Sequence, residues 1–343
     1  MIRKKRVPLL QMLTVGLLPS FLKVWYYRLR GARIEKGVKV GFLTVLQVRK
    51  LEIREGTDIG FGTIIRGREV YIGRHVKIGS MTFLDVERIS IGDDTKINEQ
   101  VFAGGPMLPE SQLRIGRNCI VMQYTFLNAT KPITIGDGTG IGGHCLLFTH
   151  GSWQSELEGY PVTFAPITIG NNVWLPWRIF VLPGVTIGDN VTIGANSLVT
   201  RSIAGNSLAA GMPAQILRSG GEYPRQISDE ERRSRLERIL DDFFRYLEYH
   251  GYSAAIRERG AMKEAWLGSE QQRLIWADSL SFADVEADGT TTVLTLEGSC
   301  TPPNGSAAMW LDVKSATRRG SNLLGEELVQ FLSRFGIRFY RLD

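Results

Sequence analysis

The sequence predicts a mainly β protein. A three-sided parallel β-helix spans residues 34–218, a helical cap precedes it at 1–33, and a linker at 219–227 leads to a small α+β domain at 228–343. Three observations carry this. Aliphatic residues recur at every sixth position, glycine often follows them, and the rhythm stops at SGGEYPRQ, where helix and strand patterns take over.

The repeat runs Ile53, Ile59, Ile65; then Ile72, Ile78, Leu84; then Ile91, Ile97, Ala103. It resumes at Ile115, Val121, Leu127; Ile135, Ile141, Leu147; Ile169, Leu175, Val181; and Ile187, Ile193, Val199, with weaker coils beginning near Ile34 and Val40. Only Ala103 is not a branched aliphatic. Two residues before each, the chain carries small or β-branched side chains such as Thr57, Thr95, Thr139 and Val191. Alternation over so short a span marks strands with one buried face. Three hexapeptides close one coil of about 18 residues, and coils stack at about 4.8 Å into a prism with an aliphatic interior. A helix does not fit a period of six. Cys119 and Cys145 fall at inward small positions and read as core residues.

Extra residues between coils are external loops: FTHGSWQSELEGYPVTFAP at 148–166 and GGPMLPESQ at 104–112. A repeat that interrupts itself is placing function there.

The beginning of the chain, MIRKKRVPLLQMLTVGLLPSFLKVWYYRLR, has a basic run and an apolar core. It offers no small-x-small cleavage site, and its apolar run is too short to span a bilayer. Two readings stay open: an amphipathic cap on the fold, or an interfacial segment presenting Arg3, Lys4, Lys5 and Arg28 to anionic headgroups. A formal charge of +6 points to acidic partners such as phosphorylated cofactors or anionic lipid. No helix-turn-helix, zinc-finger or RNA-binding signature is present, so nucleic acid is not expected. Cys119, Cys145 and Cys300 form neither a disulfide framework nor a CxxC site and fit a reducing compartment.

The order of motifs resembles the hexapeptide-repeat acyltransferases, and within them the sugar and surface-polysaccharide O-acetyltransferases. A coil ending in FTH leads to PITIGNNVW, then LPGVTIGDNVTIGANSLVTRSI, then LAAGMPAQILR, whose family counterpart reads roughly VAGNPAKVIR. The likeness covers about residues 34–218 and implies a left-handed β-helix, a homotrimer with sites between subunits, and acetyl-CoA as acyl donor. It makes His150 the general base. The chemistry suits imidazole, which is substantially neutral near pH 7 and can take a proton from a sugar hydroxyl as that oxygen attacks the thioester. Glu156 and Glu158 lie in the same loop, either orienting the ring or simply solvated. His144 projects from a corner, where it lines the acceptor groove or stays a plain surface residue. His75 and His250 complete the histidines, and with no third correctly phased ligand no metal site is expected.

The resemblance also implies a donor site: Trp177 and Ala195 at the pantetheine corner, with Thr200 and Arg201 at the nucleotide end. There an arginine can hold phosphate with two parallel hydrogen bonds, and Arg218 is a further candidate. Two departures stand out. Acceptor-contacting Asn and Asp residues of the maltose and nodulation branch fall here near Met122 and Thr130, with Asn128 the similar side chain nearby. Pro176, Trp177 and Arg178 occupy a corner that is usually small. An indole lying flat there would clamp the donor, whereas one pointing inward would obstruct it.

Beyond the linker, SDEERRSRLERILDDFFRYLEYH reads as a helix with Ser228 as N-cap and an apolar stripe from Leu236 to Leu247. Strands are expected in RLIWA, TTVLTLE, AMWLDVK and IRFYR, with a second helix from about Ser321 to Arg334. The function expected is acetyl transfer to a sugar hydroxyl in surface-polysaccharide synthesis. The site would be cytoplasmic, and peripheral on the inner face of the membrane if the first segment is interfacial. Transfer to an amino sugar and a non-catalytic scaffold are the rivals.

Overall fold

In the computed structural model, every position of the sixfold rhythm from Ile53 to Val199 points inward and is at most 2% exposed. Successive coils stack these positions in register: Ile34 on Ile53, Ile59 on Ile78, Leu127 on Leu147. The structure describes residues 8–151, 153–259, 262–267, 272–278, 288–296 and 307–342, and it divides into two units, 1–226 and 227–343. The first unit is a left-handed parallel β-helix with three walls. The second wall is a sheet of 10 strands. The first and third walls join in a 14-stranded sheet, because the strands Val45–Ile53 and Ile64–Ile72 run around the third corner without a break. The weak opening coil is completed by Leu46, whose neighbour on the next coil is Ile65. Ala103 keeps its place between Leu84 and Leu127.

Two chemical devices hold the coils. Inward threonines bridge neighbouring turns: Thr139 Oγ1 donates to the Gly170 carbonyl at 2.8 Å and accepts from the Val173 amide at 3.1 Å. Cys119 and Cys145 stand in the same role, their thiols donating to Gly136 O at 3.0 Å and Pro176 O at 2.9 Å. Cys300 lies outside the described residues. The first two corners turn through the left-handed region, at φ 57° for His144, 59° for Arg178 and 53° for Asn172. Asparagine tolerates that conformation best among residues with a side chain, which explains Asn118, Asn172, Asn190, Asn196 and Asn206 there. At the third corner, which carries the loops, only glycines such as Gly184 (φ 81°) enter that region among the described residues.

The N-terminal segment closes the open end of the prism. Helices α1 (Leu9–Leu13) and α2 (Ser20–Leu29) cross the first coil, whose outward-facing amides have no preceding turn to bond. The cap supplies the acceptors: Ser20 Oγ for Val40 at 2.8 Å, Gly16 O for Leu43 at 2.7 Å, and Tyr27 Oη for Leu46 at 2.9 Å. Lys23 is wholly buried and donates to the Gly41 carbonyl, and burial lowers its pKa. Arg28 stays exposed, yet its guanidinium donates to Ile34 O at 2.9 and 2.6 Å and to Glu35 O at 3.2 Å. It thereby ties the C-terminal end of α2 to the first coil. Arg3, Lys4 and Lys5 lie outside the described residues.

The second unit packs α3 (Asp229–Tyr249) and α4 (Leu323–Ser333) with a seven-stranded mixed sheet. Ser228 caps α3 by accepting from Glu231 N at 3.1 Å, and Leu236, Ile239, Leu240, Phe243, Phe244 and Leu247 form its buried stripe. The strands anticipated from sequence are present at Gln272–Ala277, Thr291–Thr295, Met309–Asp312 and Tyr340–Arg341. The hairpin Ala254–Arg259 with Met262–Leu267 is an addition. Its outer strand is exposed and charged, as a sheet edge should be, and so carries no apolar alternation to read.

Candidate active site

The longest loop leaves the third corner directly after Leu147 and is fixed at its root. Thr149 is buried, its hydroxyl donating to Asn128 O at 2.6 Å and accepting from the Lys131 amide at 2.9 Å. From there the loop forms a short antiparallel ladder, His150–Gly151 against Thr163–Phe164, closed by Ala165 N–H to Thr149 O at 3.0 Å. His150 is half-buried, and its ring lies on Phe164 with centroids 4.3 Å apart and planes tilted 32°. The imidazole is thus held by backbone pairing on one side and an aromatic face on the other. Glu156 and Glu158 occupy a 3-10 turn toward the loop tip and are exposed. Among the described residues neither hydrogen-bonds to the ring.

One coil earlier, Asn128 and Thr130 are buried beneath this root. The Thr130 hydroxyl donates to Asn128 Oδ1 at 2.8 Å, and Gly105 closes over both. A Cβ on Gly105 would stand 2.6 Å from the Thr130 hydroxyl and 2.7 Å from the Asn128 amide oxygen. Asn128 is therefore the floor of the loop, and Met122 sits half-buried near the second corner.

The second corner carries the aromatic residues. Trp177 keeps its indole outside the prism, flat on the preceding coil: a Cβ on Gly143 would lie 2.2 Å from the ring. Trp174 lies in the same way on Gly140, where a Cβ would come within 2.6 Å of it. The inward positions Val173, Leu175, Ile179 and Val181 stay buried, so the unusual corner leaves the core intact. His144 stands between Tyr124 and Trp177, with ring centroids 4.9 and 5.8 Å away, as one member of an exposed aromatic row. His75 occupies the first corner and His144 the second, so the two histidines stand on different edges of the prism.

The other expected donor residues divide between edges. Ala195 is exposed at the second corner, one coil after Trp177, whereas Thr200 and Arg201 are exposed at the third corner, the edge that also carries His150. Arg218 is exposed on the final strand, Ala214–Ser219, opposite Leu208. Arg178, Arg201 and Arg218 form no ion pair among the described residues. No group of three His, Cys, Asp or Glu side chains could hold a metal among those residues. Burial pushes the Cys145 thiol up to about 11, which removes it as a nucleophile.

Sequence reasoning missed Phe164 and the pairing of Trp174 and Trp177 with Gly140 and Gly143. The second signal was available: aligning the coils sets glycines three apart beneath tryptophans three apart.

Residues 166–201 match the family described as bacterial transferase hexapeptide (six repeats). The chain is 41% identical over 111 residues to the galactoside O-acetyltransferase of Escherichia coli (strain K12), covering 32% of this chain and 54% of that one. It is 29% identical over 124 residues to the "Putative colanic acid biosynthesis acetyltransferase WcaF" of the same organism, covering 31% of this chain and 68% of that protein. Among solved structures it is similar to a hexapeptide-repeat acetyltransferase from Vibrio cholerae O1 biovar eltor complexed with acetyl coenzyme A, at 24% identity. That match covers 46% of this chain and 71% of the other, with a TM-score of 0.25. The chain spans about half the length of the galactoside enzyme it matches. In coils, corners and motif order the β-helix is similar to these hexapeptide-repeat acetyltransferases, and residues 166–201 carry the transferase hexapeptide itself.

Proposed function

We propose that the protein is an acyl-CoA-dependent O-acyltransferase, moving an acetyl group to a sugar hydroxyl during assembly of a surface polysaccharide. One observation carries the reading: the His150 imidazole, half-exposed and held between a two-stranded ladder and Phe164 at the root of the longest loop. The names of the relatives, a galactoside O-acetyltransferase and a colanic acid protein, support the acceptor class.

In this reading His150 accepts the proton of the acceptor hydroxyl while that oxygen attacks the thioester carbonyl carbon. The tetrahedral intermediate collapses with cleavage of the C–S bond. The imidazolium returns its proton to the leaving thiolate, giving ester and free coenzyme A. Trp177 offers an apolar face to the pantetheine, and Arg201 a cation for the phosphates. Trp177 and Ala195 sit on one edge of the third wall and Thr200 and Arg201 on the other. A homotrimer that sets the second corner of one subunit against the third corner of the next would unite them. The outward stack Phe83, Phe102, Phe126, Phe148 and Phe180, with centroids 4.8–5.4 Å apart, supports sideways association. An acyl-CoA donor fits a cytoplasmic site.

The test is turnover of labelled acetyl-CoA with a panel of glycan acceptors. His150→Ala should lower kcat by about 10²- to 10⁴-fold with coenzyme A binding retained. Near wild-type turnover would remove the general base. Loss of acetyl-CoA binding in wild type, measured by calorimetry, would favour a scaffold. A monomer in light scattering at micromolar concentration would remove the intersubunit groove.

A further inference from the structure

We propose that the N-terminal cap docks this protein on an anionic lipid surface, lying along the membrane and not crossing it. Helix α2 is two-faced in an unusual sense. Its inner face is anchored to the first coil through Ser20, Lys23 and Tyr27, while its outer face carries Phe21, Trp25 and Leu29 at i, i+4 and i+8. These three are 70%, 61% and 66% exposed, and Leu10 on α1 is 78% exposed. An aliphatic and aromatic stripe of this size is costly in water, and it pairs Trp and Phe with Leu as interfacial helices do.

Charge identifies the occupant. The first 33 residues contain eight Lys and Arg and no Asp or Glu. With the whole chain at +6, those eight leave the remaining residues at −2, so the positive excess of the protein belongs to this segment. Lys23, Arg28 and Arg30 are engaged within the cap. Arg3, Lys4, Lys5 and Arg6 precede the stripe in sequence. A basic run next in sequence to exposed apolar side chains is complementary to anionic headgroups over acyl chains, whereas a protein surface would have to match both at once.

The geometry also separates docking from spanning. Among the described residues no single helix is long and apolar enough to cross a membrane. The segments Leu9–Leu17 and Ser20–Leu29, which together have the length, are bent by 114°. Crossing would tear Ser20, Lys23 and Tyr27 from the first coil and leave the amides of Val40 and Leu46 bare.

The experiment is co-sedimentation of the full chain with vesicles of phosphatidylcholine alone and of phosphatidylcholine with one-third phosphatidylglycerol. Binding should require the anionic lipid and weaken with salt. The double variant Phe21→Ser/Trp25→Ser should bind at least about tenfold more weakly while melting like wild type, because both side chains are exposed. Replacing Arg3, Lys4, Lys5 and Arg6 with Gln should abolish the preference for the anionic lipid. Failure to sediment, equal binding to both vesicles, or equal binding by the double variant would overturn the proposal. So would resistance of the membrane-bound protein to alkaline carbonate, which marks a span. Loss of a larger oligomer in the double variant by light scattering would assign the stripe to a second copy and overturn it too. None of these readouts depends on transferase activity.

Discussion

The ring of His150 rests on the ring of Phe164, 4.3 Å between centroids, on facing strands of a two-stranded ladder. Phe164 touches the imidazole but carries no group able to move a proton, which makes it a positioning residue. Phe164→Ala should lower kcat about tenfold with KM for acetyl-CoA unchanged, and Phe164→Tyr should restore most of the loss. Steady-state kinetics of the two variants check this. Equal damage by both, or a change confined to KM, would show that the ring does not steer the histidine.

Gly143 has room for hydrogen alone because the Trp177 indole covers it. Gly143→Ala should cost about 1–3 kcal/mol by overpacking and shift tryptophan emission to the red as the indole lifts. On a Trp177→Ala background the same substitution should cost little. Urea denaturation of the four proteins of this cycle measures the coupling, and a coupling near zero would place the indole elsewhere.

The Cys145 thiol, pushed up to about 11 by burial and bonded to the next coil, leaves about one molecule in a thousand as thiolate at pH 8. Iodoacetamide at that pH should label Cys145 only after unfolding, as read by peptide mass spectrometry. Rapid labelling of the folded protein would mean that the coils open at this level.

In the C-terminal unit, Glu326 accepts from Arg318 at 2.9 Å and from Arg341 at 3.3 Å. Burial by itself would raise its carboxyl pKa, but the Arg318 charge and hydrogen bond, with help from Ser321 and Arg341, hold it below the ordinary value. A depressed folded pKa stabilises above the unfolded value and loses that contribution as pH falls through the folded one. Because its carboxylate is more than a third exposed and so screened by solvent, Glu326→Gln should cost no more than about 1 kcal/mol at neutral pH, and the gap from wild type should narrow below about pH 4.5. Urea midpoints at pH 7 and pH 4 test the sign.

The prism was legible because its rule is covalent in origin: one inward residue in six, checked coil after coil, leaves no second register. Cys119 and Cys145 could be placed for the same reason. The N-terminus stayed ambiguous because Lys23 and Arg28 look like free surface charges in sequence, whereas in the fold both donate to first-coil carbonyls, Gly41 O and Ile34 O. His150 could be named as a candidate from motif order alone. Its contact with Phe164 depends on how a loop of nineteen residues, 148–166, folds back, and no periodicity reports that. The division of Trp177 and Arg201 between two edges was implicit in counting positions around the coil, since one lies two residues past Leu175 and the other two past Val199.

A stack of parallel turns is a short length of fibre, and nothing within one turn tells it when to stop. At one end the decision rests with Ser20, Gly16 and Tyr27. At the other, the strand Ala214–Ser219 runs back against Ser207–Gly211. These terminators set the height of the β-helical unit and blunt both ends of its stack. A chain lacking the first 29 residues should thus be prone to open-ended polymer, making the cap a guard against filaments as much as a lid on the core.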